Sequence, residues 1–513
     1  MHKNLIVFTA ALVFFLLHPF GNIFYIVGDN IAQIAYWHIL FNPHLAGSFG
    51  GVTPKPALMF LLGFTYDLSF WIFGSEVLIK GLLAFFAALL TTATARLGAD
   101  IAGNMAGIFA AAFLISLTPV TGLFADGSSM IFFLPLLLIG LRFFATGRER
   151  VGVFILCAAT LIRPEGFGVL IWLAVFHQLI RRRWRPFLFT VALASVTFSS
   201  LFFVQYLLYG NWNPLEAFGP QAGYVFIHES TLLMRLVRIL RYIYDAMVTI
   251  FVESPGLIYL FLPAVATLIW FRQRRTYLSV LGIVLFLIVY FSLGVGEFLE
   301  RFFQFLIPLI VAFGWAGIFL TYHFLIKKMR QYFWISRIIQ LISLSLLFAV
   351  LMVMIKTERD SLQVWQEYIS QGNVNYAIYT QDAIRLLMAQ PVPRGSRVLL
   401  ESDITFGILV RDINYFRDVN SLQFFNLQKK AERQKILEQI DYILISKTYY
   451  QYYYLWYDPL EQGDSDFFRQ TISDIIKDGK AKSIYNHYLT PVENSIFWLI
   501  LRVEPFSYNS GNE

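Results

Sequence analysis

The first 355 residues of this chain form a series of apolar segments of about 15 to 25 residues, separated by short polar loops. About 20 apolar residues in a helix span the hydrocarbon core of a bilayer, whereas a soluble domain carries about 25% charged residues. Here 14% of the residues are charged and 57% are hydrophobic. The pattern predicts a polytopic α-helical membrane domain over residues 1–356. Beyond this region the sequence is polar and mixed in charge, and this part of the chain predicts a soluble α/β domain over residues 357–513.

Arginine and lysine gather in the short loops, and their distribution predicts the orientation. Clear examples are Arg148 with Arg150, the run from Arg181 to Arg185, and Lys327 with Lys328. Basic loops of membrane proteins face the cytoplasm. About eleven spans lie between these anchors, so we expect a cytoplasmic N-terminus, an extracytoplasmic C-terminal domain and a location in the cell membrane. The net charge of +7 resides mostly in these loops and does not indicate nucleic-acid binding. The predicted spans lie near residues 4–27, 75–95, 103–121, 129–145, 150–163, 166–180, 187–209, 256–271, 276–293, 302–325 and 333–355.

The first predicted outer loop, residues 28–74, is too long and too apolar for a simple connection. Residues 31–40 have the pattern of an amphipathic helix on the membrane surface, and residues 56–73 suit a second surface helix lying flat or at a slant. Asp29 and Lys55 belong to this loop. Charges held at a membrane surface are costly and usually functional. The loop would roof a cavity at the lipid boundary, where a substrate with a lipid tail and a polar head could react.

Further polar residues fall in or near the predicted outer loops, notably Asp126, Arg163, Glu165 and Arg301. Pro164 interrupts the apolar run and would break a helix there. The segments on either side are short for a bilayer of about 30 Å. We therefore expect an outward-facing hinge between two short helices.

In order along the chain, these segments resemble the GT-C membrane glycosyltransferases, most closely the lipid A aminoarabinose transferases and protein O-mannosyltransferases (family 39). There an Asp ends the first span and a Lys-Pro or His-Pro pair opens the second surface helix. Asn30 is a departure, because the family often has Asp-Glu where this chain has Asp29-Asn30. The matching segments are Gly28–Ala35, Lys55–Leu58, Phe73–Gly74, Asp126, Leu161–Gly166 and Glu300–Pro308.

The resemblance implies transfer of a sugar from a polyprenyl-phosphate donor to an acceptor hydroxyl, with inversion at the anomeric carbon. Asp29 would accept the hydroxyl proton as general base. Lys55 is the first choice for binding the donor phosphate, followed by Arg301 and Arg163, since fixed cations stabilise the charge on the leaving group. Asp126, Glu165 and Asn30 would support the site. The acceptor is left open among a glycan, a lipid and a protein, and membrane lipids are further partners.

No cofactor is expected, although a divalent metal stays open because some GT-C branches use one. No Cys-based metal site is predicted, since Cys157 is the only cysteine. His38, His44 and His228 lack metal-ligand spacing and are predicted to be non-catalytic.

Each site residue also has a plainer interpretation. Lys55 could extend its ammonium to lipid phosphates, Asp126 could cap a helix, Arg163 and Glu165 could tie the hinge, and Arg301 could pair locally with Glu300. For the whole chain, a lipid-linked sugar flippase or transporter is an alternative, although inverted repeats are expected there and none is detected. A non-catalytic scaffold and an O-antigen-ligase-like enzyme are further alternatives.

The C-terminal domain alternates predicted helices and strands, which suggests a small layered sheet. It contains no Gly-rich phosphate loop, catalytic triad or metal cluster. The aromatic run Tyr449–Tyr457 suits a belt resting on the membrane or on the transmembrane domain; stacking on an acceptor glycan is the alternative. Predicted helices are residues 357–371, 382–389, 427–440 and 464–478, and predicted strands are 397–401, 442–446, 482–490 and 495–503.

Overall fold

A computed structural model of the chain is mostly helical and carries a sheet near its C-terminus. The helices occupy the apolar part of the sequence, as the hydropathy pattern predicts. The structure describes residues 2–17, 29–41, 55–75, 77–117, 120, 128–209, 232–292, 303–329, 333–370, 392–400, 416–421, 425, 430–446, 462–494 and 498–505.

Fifteen helices precede the sheet in the described residues. Helix α8 continues as a π-helix over Leu173–Leu179, and a 3₁₀ turn over Leu278–Val280 joins α12 to α13. In chain order the helices are α1 His2–Leu17, α2 Asp29–Leu40, α3 Pro56–Phe73, α4 Val77–Ala102, α5 Asn104–Leu114, α6 Ser129–Ala145, α7 Glu149–Ile162, α8 Gly166–Trp172, α9 Trp184–Tyr209, α10 Leu232–Glu253, α11 Gly256–Trp270, α12 Arg274–Tyr277, α13 Leu281–Ser292, α14 Leu306–Met329 and α15 Phe333–Ser370.

Five described helices are long and apolar enough to cross a membrane, judged by length and composition. They are α3, α4, α9, α14 and the Gln340–Arg359 part of α15. Several shorter apolar helices, among them α5, α6 and α11, occupy other predicted spans. The predicted count of about eleven spans is not confirmed by these helices. Helix α3 was predicted to lie on the surface, yet its length and composition also qualify it as a candidate span.

Helices α10 and α15 differ from the sequence prediction. Helix α10 was not predicted, because Arg235, Arg238 and Arg241 interrupt its hydropathy. Its apolar residues are nevertheless spaced for one face, and Val237, Leu240 and Tyr244 are exposed as a lipid-facing stripe would be. Helix α15 has 38 residues and is about 57 Å long. It runs without a break through residues 356 and 357, where the sequence turns polar, because a hydropathy change need not end a helix.

Small residues let the helices approach closely, as is usual between transmembrane helices. A Cβ atom added to Gly168 of α8 would lie 2.0 Å from the Gly282 carbonyl oxygen of α13. A Cβ atom on Gly63 of α3 would lie 2.1 Å from the Trp37 ring of α2. The α2–α3 pair is also joined by Asp67, whose two oxygens contact Trp37 Nε1 at 2.7 Å and His38 Nε2 at 2.9 Å. The first outer loop is therefore a tightly packed pair of helices.

The C-terminal domain is a six-stranded mixed sheet in the order β2-β1-β3-β6-β5-β4. Strand β1 runs parallel to β2 and β3, and the remaining neighbours are antiparallel. Leu399, Ile443 and Leu501 share a buried apolar cluster with α17, while Val398 and Ile500 belong to the cluster that contains the transmembrane helices. The elements are β1 Arg397–Leu400, β2 Asp418–Ser421, α16 Lys430–Glu438, β3 Tyr442–Ser446, α17 Gln462–Asp478, β4 Lys482–Ile484, β5 His487–Asn494 and β6 Trp498–Pro505.

The predicted single strand over 482–490 is wrong, because the chain turns within it. Tyr485 and Asn486 have φ angles of 45° and 63°, and the strands on either side pair as a hairpin. Positive φ at both central residues is typical of a type I′ turn. Asn often adopts positive φ, but Tyr rarely does, so the sequence does not predict a turn here. Strand β2 was not predicted. The predicted helix 382–389 and the aromatic run Tyr449–Tyr457 lie outside the described residues.

Candidate functional site: a buried cluster of two cations

Lys55 is held at the point where α2 and α3 meet. It caps the N-terminus of α3 in an extended conformation, and Pro56 follows at the first helical position, where its missing N–H is not needed. The Lys55 backbone N–H donates to Gln33 Oε1 of α2 at 2.7 Å. Its side chain is only 6% exposed. Gln33 thus fixes the backbone from which the lysine side chain enters the protein.

Ser129, the first residue of α6, brings two cations together. Its Oγ accepts hydrogen bonds from Lys55 Nζ at 3.3 Å and from Arg163 Nη1 at 2.8 Å. The serine is 1% exposed. The preceding Ser128 caps the helix, because its side chain accepts the Met130 N–H. The two serines therefore have different tasks, and only Ser129 faces the cations.

Arg163 lies in the predicted hinge. Helix α7 ends at Ile162, Arg163 is extended, and α8 begins at Gly166, so the predicted break at Pro164 is confirmed. Arg163 Nη2 and Nε both donate to one oxygen of Glu165, at 2.6 and 3.2 Å. Arg163 is 3% and Glu165 8% exposed. The interpretation that these two residues pair within the hinge is correct, but the arginine also reaches beyond it to Ser129.

The cluster of Lys55, Ser129, Arg163 and Glu165 brings two cations and one carboxylate together. Arg163 pairs with Glu165, and this pairing offsets the cost of burying the arginine charge. Both cations lie within hydrogen-bond distance of the same hydroxyl oxygen. An oxyanion placed beside that oxygen could contact both, in surroundings where such contacts are stronger than in water. The geometry is suited to binding a phosphate.

The cluster lies at one end of α6 and α7, and the basic loop lies at the other. At the other end, Arg142 in the last turn of α6 pairs with Asp100 of α4 at 2.5 Å, and Glu149, the first residue of α7, pairs with Arg183. Helix α6 has 17 residues, or about 25 Å. The predicted separation between basic loops and site residues therefore holds along these two helices.

Asp29 is the first residue of α2, four residues before Gln33. The sequence analysis placed it in the first outer loop, just after the predicted span 4–27, and in the structure it begins the first helix of that loop. Asn30 is the second residue of α2. Positions four apart lie on the same face of a helix, one turn apart. Asp29 is therefore on the face of α2 that carries Gln33.

The remaining predicted site residues, Asp126 and Arg301, lie outside the described residues, as do His44 and His228. Asp126 precedes Ser129 by three residues, and Arg301 precedes Phe303 by two. The interpretation of Asp126 as the cap of α6 is wrong, because Ser128 caps it. Across the described ranges, no group of three or more His, Cys, Asp or Glu side chains could hold a metal ion.

Two members of the site, Gln33 and Ser129, were not predicted. Gln33 belongs to the segment that resembles the GT-C pattern, and its spacing of four from Asp29 is visible in the sequence. Ser129 follows another serine at a helix start, where a capping role is the ordinary expectation. Only the approach of Lys55 and Arg163 distinguishes it from Ser128.

No protein-family model matches this chain, and no curated protein matches it. Solved structures do. The crystal structure of ArnT from Cupriavidus metallidurans bound to undecaprenyl phosphate matches with a TM-score of 0.57 at 12% sequence identity, covering 97% of each chain. The chain has the ArnT fold. The apo crystal structure of the same ArnT has a TM-score of 0.51 at 13% identity, again covering 97% of each chain.

ArnT is a lipid A aminoarabinose transferase and a GT-C membrane glycosyltransferase, so the resemblance found in the sequence extends to the fold. An oligosaccharyltransferase from Archaeoglobus fulgidus also matches, with a TM-score of 0.48 at 12% identity, covering 88% of this chain and 69% of that chain.

Proposed function

We propose that this protein is a membrane glycosyltransferase that takes a sugar from a polyprenyl-phosphate donor and passes it to an acceptor hydroxyl, with inversion, on the extracytoplasmic face. The observation that carries the proposal is the convergence of Lys55 and Arg163 on Ser129 Oγ. Two buried cations that share one hydroxyl oxygen support a site for a phosphate group. ArnT, whose fold this chain shares, was crystallised with undecaprenyl phosphate.

The proposed donor phosphate lies between Lys55 and Arg163. As the bond between sugar and phosphate breaks, negative charge grows on the phosphate oxygens, and fixed cations stabilise that charge. Lys55 is rigidly placed, since both its backbone N–H and its ammonium are bonded. Arg301 is a further proposed phosphate ligand from the resemblance.

Asp29 is the proposed general base. A hydroxyl is a poor nucleophile at neutral pH, so a carboxylate must take its proton as the new bond forms. Asp29 shares a helix face with Gln33, and Gln33 bonds the Lys55 backbone. This placement supports a base within one helical turn of the phosphate site. Asp126 is proposed to orient the site or the acceptor, since it precedes Ser129 by three positions in the sequence. Asn30 is proposed to assist Asp29.

The proposal is tested with purified protein in detergent, a polyprenyl-phosphate sugar and candidate acceptors. Release of polyprenyl phosphate that depends on both acceptor and enzyme is expected. Asp29→Asn should reduce the rate at least 10²-fold, in line with the loss of a general base. Asp67→Asn is the matched control, since it removes a carboxylate from the same pair of helices but outside the cluster. Full activity of Asp29→Asn would remove Asp29 from the mechanism.

The phosphate site is tested separately by binding of undecaprenyl phosphate. Lys55→Met keeps the apolar stem and removes the charge, and it should weaken binding by at least about tenfold, as expected for a charged hydrogen bond. Lys327→Met is the control, because Lys327 is exposed at the far end of α14. Equal affinity in both variants would contradict the phosphate role of Lys55. A transporter would bind the lipid and move it without releasing the sugar.

A further inference from the structure

The two carboxylate oxygens of Glu165 are used unequally. Oε1 accepts from both Arg163 Nε and Nη2. Oε2 is buried, and no residue of the described chain donates a hydrogen bond to it. An arginine that is simply paired with a carboxylate commonly uses both oxygens in a side-on arrangement. Here the pair is crowded onto one oxygen, so the second oxygen remains available for another donor.

A buried carboxylate oxygen without a donor is costly, and native proteins rarely leave one so without a reason. Glu165 is 8% exposed, so bulk water is a poor substitute. A hydrogen-bond donor on a ligand that enters the site would complete this oxygen. A phosphate cannot fill this role, because its oxygens would be repelled by the carboxylate.

The position of Glu165 indicates which part of a ligand it would meet. Its carboxylate is one hydrogen bond from Arg163, and Arg163 is one hydrogen bond from Ser129. A phosphate held by Lys55 and Arg163 would therefore share Arg163 with Glu165, and a sugar attached to that phosphate would bring hydroxyl groups to this part of the site. Sugar hydroxyls are hydrogen-bond donors and suit a carboxylate oxygen.

We propose that Glu165 is a specificity-determining residue whose Oε2 accepts a hydrogen bond from a hydroxyl of the donor sugar. The inference rests on the proposed function, because it places the donor phosphate between Lys55 and Arg163. It adds that the protein distinguishes a sugar-bearing polyprenyl phosphate from the bare lipid phosphate through this one oxygen. The bare lipid lacks the hydroxyl and leaves Oε2 without a donor.

The test compares affinities for undecaprenyl phosphate and for undecaprenyl phosphate carrying glucose, mannose or arabinose, in the wild type, Glu165→Gln and Glu165→Asp. The Gln side chain keeps one oxygen to accept from Arg163 but has an NH₂ group, a hydrogen-bond donor, in place of Oε2. The Asp side chain keeps the negative charge but is one methylene shorter, so its carboxylate lies farther from the sugar. Because a hydrogen bond to a charged group is worth about 10- to 100-fold in affinity, the preference for at least one sugar-bearing lipid over the bare lipid should fall about tenfold or more in both variants.

The bare lipid serves as an internal control, because its binding reports on the fold and on Arg163. Glu149→Gln is the control variant, since Glu149 pairs with Arg183 at the opposite end of α7, and its preference should match the wild type. Equal weakening of bare and sugar-bearing lipids would mean that Glu165 only positions Arg163, and it would overturn the inference alone. Failure of the wild type to bind any of these lipids would overturn the proposed function as well.

Discussion

Replacing Ser129 with alanine removes the oxygen that Lys55 and Arg163 share. The Arg163 Nη1 bond, at 2.8 Å, is a charged hydrogen bond worth about 1.5–3 kcal/mol. The Lys55 Nζ bond is longer, at 3.3 Å, and we assign it about 1 kcal/mol. The two contributions make the free energy of unfolding of Ser129→Ala about 3 kcal/mol lower than that of the wild type. The cations also stay buried without their common acceptor, which raises their affinity for an added anion.

Ser128→Ala is the matched control, because Ser128 is the neighbouring residue with the same side chain. It loses a helix cap and should cost about 1 kcal/mol. That cost does not depend on what lies between the cations. Undecaprenyl phosphate, in contrast, supplies oxygens that replace the lost hydroxyl, so it should reduce the Ser129→Ala deficit to about 1 kcal/mol while leaving the Ser128→Ala deficit unchanged.

The assay is unfolding of the purified protein by SDS in mixed micelles, with and without saturating undecaprenyl phosphate, together with lipid affinity. By linkage, a deficit reduced by about 2 kcal/mol means that Ser129→Ala binds the lipid about tenfold or more tightly than the wild type. The reasoning is refuted if the two serine variants lose the same free energy and respond identically to the lipid.

Two further predictions concern the supports of the site and the sheet. Gly63→Ala would force the Trp37 ring away and should lower both the free energy of unfolding and the free energy of lipid binding by about 2 kcal/mol. Gly81→Ala is the control, because the space around its Cβ position is open, and it should be neutral or stabilising. Unfolding and lipid-binding measurements on both variants check the prediction. Burial raises the pKa of Asp441, but hydrogen bonds from the Arg397 side chain and backbone lower it by more, to below its ordinary value of 3.8. The stabilisation from this pair is therefore present at neutral pH and lost as the pH falls below about 4, so the difference in melting temperature between the wild type and Asp441→Asn should shrink over that range, and a constant difference would contradict it.

The sequence predicted the helical segments and the main site residues because these depend on local properties. Apolar runs long enough for a bilayer must form helices, since backbone groups cannot remain unbonded in lipid. Pro164 must interrupt a helix, and the structure has the break there. The strand Tyr442–Ser446 matched its predicted bounds because a short β-branched run buried on both faces has few alternatives.

Features that depend on partners distant in sequence were not predictable. Nothing local distinguishes Ser129 from Ser128, yet one bonds two cations and the other caps a helix. The end of the membrane domain was placed at residue 356 from hydropathy, whereas α15 continues to Ser370 because a helix ends where its backbone bonding ends. The hairpin turn at Tyr485 was not predicted, because tyrosine normally favours strands.

By itself, the sequence determined that this chain is a helical membrane protein with an α/β domain, and it predicted Lys55 and Arg163 as candidate site residues. Both predictions depend on solvation. Apolar segments must be long enough to span lipid, and charges near lipid are costly, so both leave a pattern in the composition and spacing of the sequence. Only the tertiary structure decided that these cations meet at one serine oxygen, that Gln33 bonds the lysine backbone, and that one oxygen of Glu165 accepts no hydrogen bond from the described residues. Such contacts arise from the packing of α2, α3, α6 and the α7–α8 hinge, and packing joins residues that the chain itself keeps far apart.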